Sequence, residues 1–107
     1  MAEHSQSLTQ RDGKHHLVLE GRLDIESAAR FHELAVQAVE AEGPVVLDWS
    51  RLEHLDAANA QVLLALRTEL ELARREFSTT AISAPLESSL RWCGILADFV
   101  PEKGASA

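Results

Sequence analysis

The segment Val45–Leu66 constrains the fold more than any other part of the chain. It reads Val-Val-Leu-Asp-Trp-Ser-Arg-Leu-Glu-His-Leu-Asp-Ala-Ala-Asn-Ala-Gln-Val-Leu-Leu-Ala-Leu. Val45-Val46-Leu47 is a continuous apolar run, which predicts a strand covered on both faces. Asp56 stands where a helix needs a side-chain acceptor for the free amides of its first turn. From near Ala57 onward Leu63, Leu66, Leu70, Ala73 and Phe77 recur at intervals of three and four, the core stripe of an amphipathic helix. Glu71 precedes Arg75 by one turn, a pair worth about 0.2–0.5 kcal/mol on a helix surface.

The flanking sequence extends the same alternation. Residues 5–10 and 15–20 bracket Asp12-Gly13, a pair that accepts positive φ, so two antiparallel strands joined by a tight turn are expected. The first of them is poor in apolar residues, which suits a sheet edge. Asp24 is placed to cap a helix whose buried face carries Ala28, Phe31, Leu34, Ala35, Ala38 and Val39. Gly43-Pro44 ends that helix. Ser78 to Ser83 is expected to be a strand. Pro85 opens a last helix with Leu86, Leu90 and Cys93 on one face and Gly94 at its end. Ile95, Leu96, Phe99 and Val100 are expected to pack back onto the domain. The predicted class is α/β, in the order ββαβαβα, with a mixed, mostly parallel sheet flanked by helices.

A chain of 107 residues suits one domain spanning 1–107, with about 5–100 ordered and frayed ends. Ten basic residues against seventeen acidic give a formal charge of −7, and Arg74-Arg75 is flanked by Glu71 and Glu76. Such a surface repels phosphate backbones and anionic lipid, which argues against nucleic-acid binding and against an electrostatic membrane anchor. No apolar run approaches the length of a membrane span, so no direct membrane insertion is expected. The first residues lack the basic and apolar parts of a secretory signal, and the single cysteine, Cys93, admits no internal disulfide. Both point to the cytoplasm.

The strand, the aspartate-ended connection and the helix resemble the STAS domain of bacterial anti-sigma factor antagonists. There the unit reads hydrophobic, Asp-Leu-Ser, three residues and a hydrophobic, Asp-Ser-Ser-Gly, then three residues and Leu. The Gly21-x-Leu23-Asp24, Asp48-x-Ser50 and Leu90-x-x-Cys93-Gly94 segments also sit where the family has similar residues. In the family, the serine after the second aspartate is a phosphorylation switch. Here that position is Ala57, the next is Ala58, and the usual glycine is Asn59. A helix start tolerates added phosphate well, because its free amides favour negative charge. Ala57 has no hydroxyl to receive it.

The resemblance implies a non-enzymatic domain that binds another protein through the connection Leu52–Asn59 and the first turn of its helix. Glu53, His54, Asp56, Ala57, Ala58 and Asn59 are the expected contact residues. Asn59 could also bond back to Asp56 within the cap. The implied partner is a kinase-like ATPase that also sequesters a sigma factor. Two alternatives stay open. One is the STAS subunit of a lipid-transport ATP-binding cassette complex, similar in size and in its Leu96-x-x-Phe99-Val100-Pro101 ending, whose partner is the transporter ATPase. The other is a scaffold in a stress or chemosensory complex, with a homodimer admissible.

No catalytic set, cofactor or metal site is expected. His15 and His16 are adjacent on a strand and point to opposite faces, so they cannot ligate one ion. Cys93 lies on an apolar helix face, where a thiol is ordinarily core. The family has an aspartate at the Asp48 position without catalysis. Trp49 and Trp92 are expected to be partly buried anchors.

Overall fold

The computed structural model describes residues 4–99. Strands β1 (His4–Arg11) and β2 (Lys14–Leu23) form an antiparallel hairpin. Its turn residues Asp12 and Gly13 sit at φ 53° and 76°, the left-handed pair that a two-residue hairpin requires. A short 3-10 turn, Ile25–Ser27, precedes helix α1 (Ala28–Glu40). Strand β3 (Val45–Leu55) runs parallel to β2, helix α2 (Ala57–Leu72) follows, and β4 (Phe77–Thr79) lies parallel to β3. Helix α3 (Ala84–Trp92) and a single turn, α4 (Leu96–Phe99), complete the described chain. The sheet order is β1-β2-β3-β4, so the ββαβαβα order and the mostly parallel sheet are both present.

Helices α1 and α2 lie on the same face of the sheet. Leu17, Leu19, Leu23, Val45, Leu47 and Trp49 from the strands meet Phe31, Leu34, Ala38, Leu63, Leu66 and Leu70 from the helices in one buried cluster. The other face is left half-exposed at His16, Val18, Val46 and Asp48. The apolar run Val45–Leu47 is therefore covered on one side, and Val46 is not interior.

Strand β3 is longer than its sequence suggests, and two irregularities make that possible. Its pairing with β2 slips once between Val18 and Glu20 and again between Gly21 and Arg22. Each slip adds a residue to β3 and shifts the alternation by one, so Leu52 and Leu55 still face the core after Val45, Leu47 and Trp49. Leu52–Leu55 is thus strand where a loop was expected, and Asp48 lies mid-strand.

Strand β4 is confined to Phe77–Thr79 because Thr80 turns back onto Trp49. The Thr80 hydroxyl accepts from the Trp49 amide at 3.1 Å, and the Thr80 carbonyl accepts from the Trp49 indole at 2.8 Å. Beyond it, α3 covers the unpaired edge of β3. Ser83 Oγ donates to the Leu52 carbonyl at 2.8 Å while also capping α3 at the Leu86 amide.

Helix α2 ends at Leu72, so Ala73 and Phe77 are not part of its stripe. Ala73 is exposed, and Phe77 reaches the core from β4. The reversal places Arg74 at φ 57°, and the Arg75 amide bonds back to the Leu70 carbonyl. Arg75 does not pair with Glu71. Its guanidinium donates to the carbonyls of Gly43, Val39 and Ala38 at 2.7–3.1 Å, closing the open end of α1, and Glu71 pairs with Arg67. Ile95, Leu96 and Phe99 pack against the core, and the Phe99 ring meets the fully buried Trp49 edge-on at 5.5 Å. Val100 lies outside the described residues. Trp92 is not an anchor: it is 91% exposed.

Candidate functional site

The start of α2 is built by two aspartates and one asparagine. The Asp56 amide donates to the Leu23 carbonyl at 3.2 Å, tying the end of β3 to the end of β2. Asp56 is extended (φ −86°, ψ 179°), and its Oδ1 accepts from the Asn59 amide at 3.0 Å, the N-cap expected from sequence. The Asn59 side chain then turns inward. Its Nδ2 donates to Asp56 Oδ1 and to the Asp24 carbonyl, both at 2.8 Å. The opposite amide orientation would set the Asn59 oxygen against two acceptors, so the geometry fixes which atom is nitrogen.

The Asp24 carbonyl also receives the Ser27 amide at 3.0 Å and the Ser27 hydroxyl at 2.8 Å. The β2–α1 connection and the α2 start are thereby one hydrogen-bonded unit. Asn59 is fully buried, and its Oδ1 has no partner in this network. It was expected to contact a partner as well as the cap. The structure makes it scaffold, because the residue is fully buried and its amide nitrogen is committed to the cap.

Above this unit Ala57 is exposed and Ala58 half-buried. Glu53 is exposed, and His54 is half-buried with Nδ1 3.1 Å from the Ser89 hydroxyl on α3. The Cys93 thiol approaches the Leu55 carbonyl at 3.7 Å; burial, then the negative charge of Asp56, pushes its pKa up. A thiol so placed is a poor nucleophile. Asp48 stands apart, on the open sheet face. Hydrogen bonds from the Ser50 hydroxyl at 2.8 Å and the Ser50 amide hold its carboxyl below the usual value, and Thr80 adds a longer one.

Sequence reading missed Ile25, which follows Asp24 and is 72% exposed. Asn59 ties the carbonyl of the preceding residue, Asp24, to the start of α2. Only an apolar residue immediately after a helix cap could have signalled it. From Leu52 to Val62 there is no serine or threonine, and no lysine or arginine. The stretch offers small apolar groups, carboxylates, the His54 imidazole and first-turn amides, and carries no hydroxyl of its own.

A family model described as "Mlab, STAS domain" matches residues 7–100. No curated protein matches the sequence. Among solved structures, an anti-sigma factor antagonist from Mycobacterium paratuberculosis superposes with a TM-score of 0.75 at 18% identity, covering 94% of this chain and 88% of that one. An antisigma-factor antagonist STAS domain from Rhodobacter sphaeroides gives 0.62 at 21% identity, covering 79% and 97%. The Bacillus cell fate determinant SpoIIAA in its phosphorylated form gives 0.64 at 18%, covering 89% and 87%. At these identities the likeness is one of fold.

Proposed function

The chain belongs to the STAS domain family, and we propose that it is a non-enzymatic regulatory protein, similar to an anti-sigma factor antagonist, that acts by docking another protein on the start of α2. The observation that carries this reading is Ala57. It is the first residue of α2, exposed, and seated on a cap whose polar side chains are already bonded to one another. The position favours added negative charge, yet it has no hydroxyl. Docking here is consequently constitutive: the surface stays in the state that an unphosphorylated relative adopts.

The partner is a kinase-like ATPase of the anti-sigma type, in the cytoplasm. Glu53, His54, Asp56, Ala57 and Ala58 form the contact surface, with Ile25 joining them from the neighbouring turn. A second reading rests on the description of the family model as Mlab. In it the same surface meets the ATPase of a lipid-transport complex, and the absence of a hydroxyl at Ala57 has the same consequence.

Incubation with an anti-sigma kinase and ATP, followed by mass spectrometry, tests the switchless state. The Leu55–Gln61 peptide of the wild type should carry no phosphate, and Ala57→Ser should gain it when that kinase docks. A kinase that binds both proteins and phosphorylates neither would show that Ala57 does not occupy the acceptor position.

A further inference from the structure

Helices α1 and α2 each return from the end of one parallel strand to the start of the next, so they run side by side in the same direction over the sheet. Between them lies an open groove of about 240 Å³. Ala35, Val36 and Val39 form one wall, and Val62, Ala65 and Leu66 the other. Ala35 and Leu66 are buried, Val39 and Val62 half-buried, while Ala65 and Val36, the latter 41% exposed, face solvent.

The two ends of the groove differ. Glu40 and Glu69 stand at the end reached late in both helices, and His32 lies at the other. Both arginines of these helices are already engaged: Arg30 with Glu33 at 3.3 Å, and Arg67 with Glu71 at 3.0 Å and Asp98 at 3.5 Å. Neither helix contains a lysine. Arg75, near the end of α1, is held by three carbonyls. Among the described residues Glu40 and Glu69 thus have no cation within ion-pair distance.

We propose that this groove docks an amphipathic helix of another protein, whose apolar stripe fills it and whose flanking lysines or arginines meet Glu40 and Glu69. Size argues for side chains rather than a small molecule. Pockets for drug-sized ligands hold roughly 300–1,000 Å³. This one is smaller and open along its length, which suits aliphatic side chains presented a turn apart on a helix. Charge selects the partner. A second copy would bring the same concave surface and the same two unpaired carboxylates, and anionic lipid would also oppose them. A basic helix instead gains charge-assisted contacts at Glu40 and Glu69 as its apolar side chains close over the valines. The groove begins at Val62, beyond the α2 surface assigned to docking, so the inference stands or falls apart from that reading.

The probe is a synthetic alanine-based helix of about 18 residues, with a leucine stripe at helical spacing flanked on both sides by lysines. In a methyl NMR titration of the full chain it should shift the Val36, Val39 and Val62 signals to saturation, while Ala57 and Ala58 stay unmoved. Glu40→Gln combined with Glu69→Gln should weaken binding by about tenfold or more. The melting temperature should not fall, because neither carboxylate has a partner to lose. Exchanging the peptide's lysines for glutamate should weaken binding as much, and exchanging its leucines for alanine should remove the saturable shifts. Equal binding by the alanine peptide would mean that acidity alone attracts it, and would overturn the proposal. So would shifts confined to other residues, or glutamine variants that bind as tightly as the wild type. Valine signals that move with protein concentration alone would place a second copy in the groove and overturn it as well.

Discussion

The carboxamide of Asn59 donates to the carbonyl of Asp24 at 2.8 Å, joining residues 35 positions apart. The same nitrogen holds Asp56, so one buried side chain sets the cap of α2 and the exit of β2 together.

Replacing this side chain separates packing from charge. Asn59→Ala leaves Asp24 its two Ser27 donors and Asp56 the backbone amide, and should cost about 1–2 kcal/mol in urea unfolding. Asn59→Asp puts a buried carboxylate against two acceptors and should cost more than about 3 kcal/mol near neutral pH. Equal losses for the two variants would show that Asn59 is solvated.

Arg75 offers a contrast with Glu71. Arg75→Ala strips three carbonyls of a charged donor and should lose about 1.5–3 kcal/mol, with Arg75→Lys recovering only part because an ammonium lacks the planar fork. Glu71→Ala removes an exposed pair with Arg67 and should change stability by less than about 0.5 kcal/mol. Matched effects in thermal unfolding would revive the helix-surface pair.

Asp48 sets a small acid limb. Its folded pKa lies below the ordinary 3.8, chiefly through the Ser50 hydroxyl. The carboxylate therefore contributes stability fully above the unfolded pKa and loses it as pH falls through the folded one. The group is largely solvated, so the contribution is about 0.5 kcal/mol or less. Between pH 6 and the acid limb, roughly pH 3 and below, the wild type should lose more stability than Asp48→Asn. Parallel pH curves would mean that the Ser50 bonds do not persist in solution.

The parts of this fold legible in the sequence are those set by near neighbours. Asp12-Gly13, the cap at Asp56 and the stripe through Phe31 and Ala38 all follow from periodicity or turn chemistry within a few residues, whereas Asp24 caps the short 3-10 turn at the Glu26 amide and α1 itself starts at Ser27 without a side-chain cap. The bond from Asn59 to Asp56 is of this kind too. What escaped depends on distant pairings. The length of β3 rests on two slips against β2, the role of Arg75 on carbonyls of another helix, and the short β4 on Thr80 meeting Trp49. Trp92 illustrates the converse: its apolar surface suggested burial, and only the packing of α3 shows it facing outward.

The central claim is that a partner closes over Ala57, and calorimetric titration with Ala57→Glu tests it most directly. At a free helix start the added carboxylate is tolerated, or favoured by up to about 1 kcal/mol, so the melting temperature should not fall. In a closed interface it is desolvated without a matching cation, at about 2–5 kcal/mol. The anti-sigma-type or transporter ATPase that binds the wild type should bind Ala57→Glu more weakly by at least tens of fold, roughly. Equal affinity for the two proteins, at equal stability, would contradict the account and place the docking surface elsewhere.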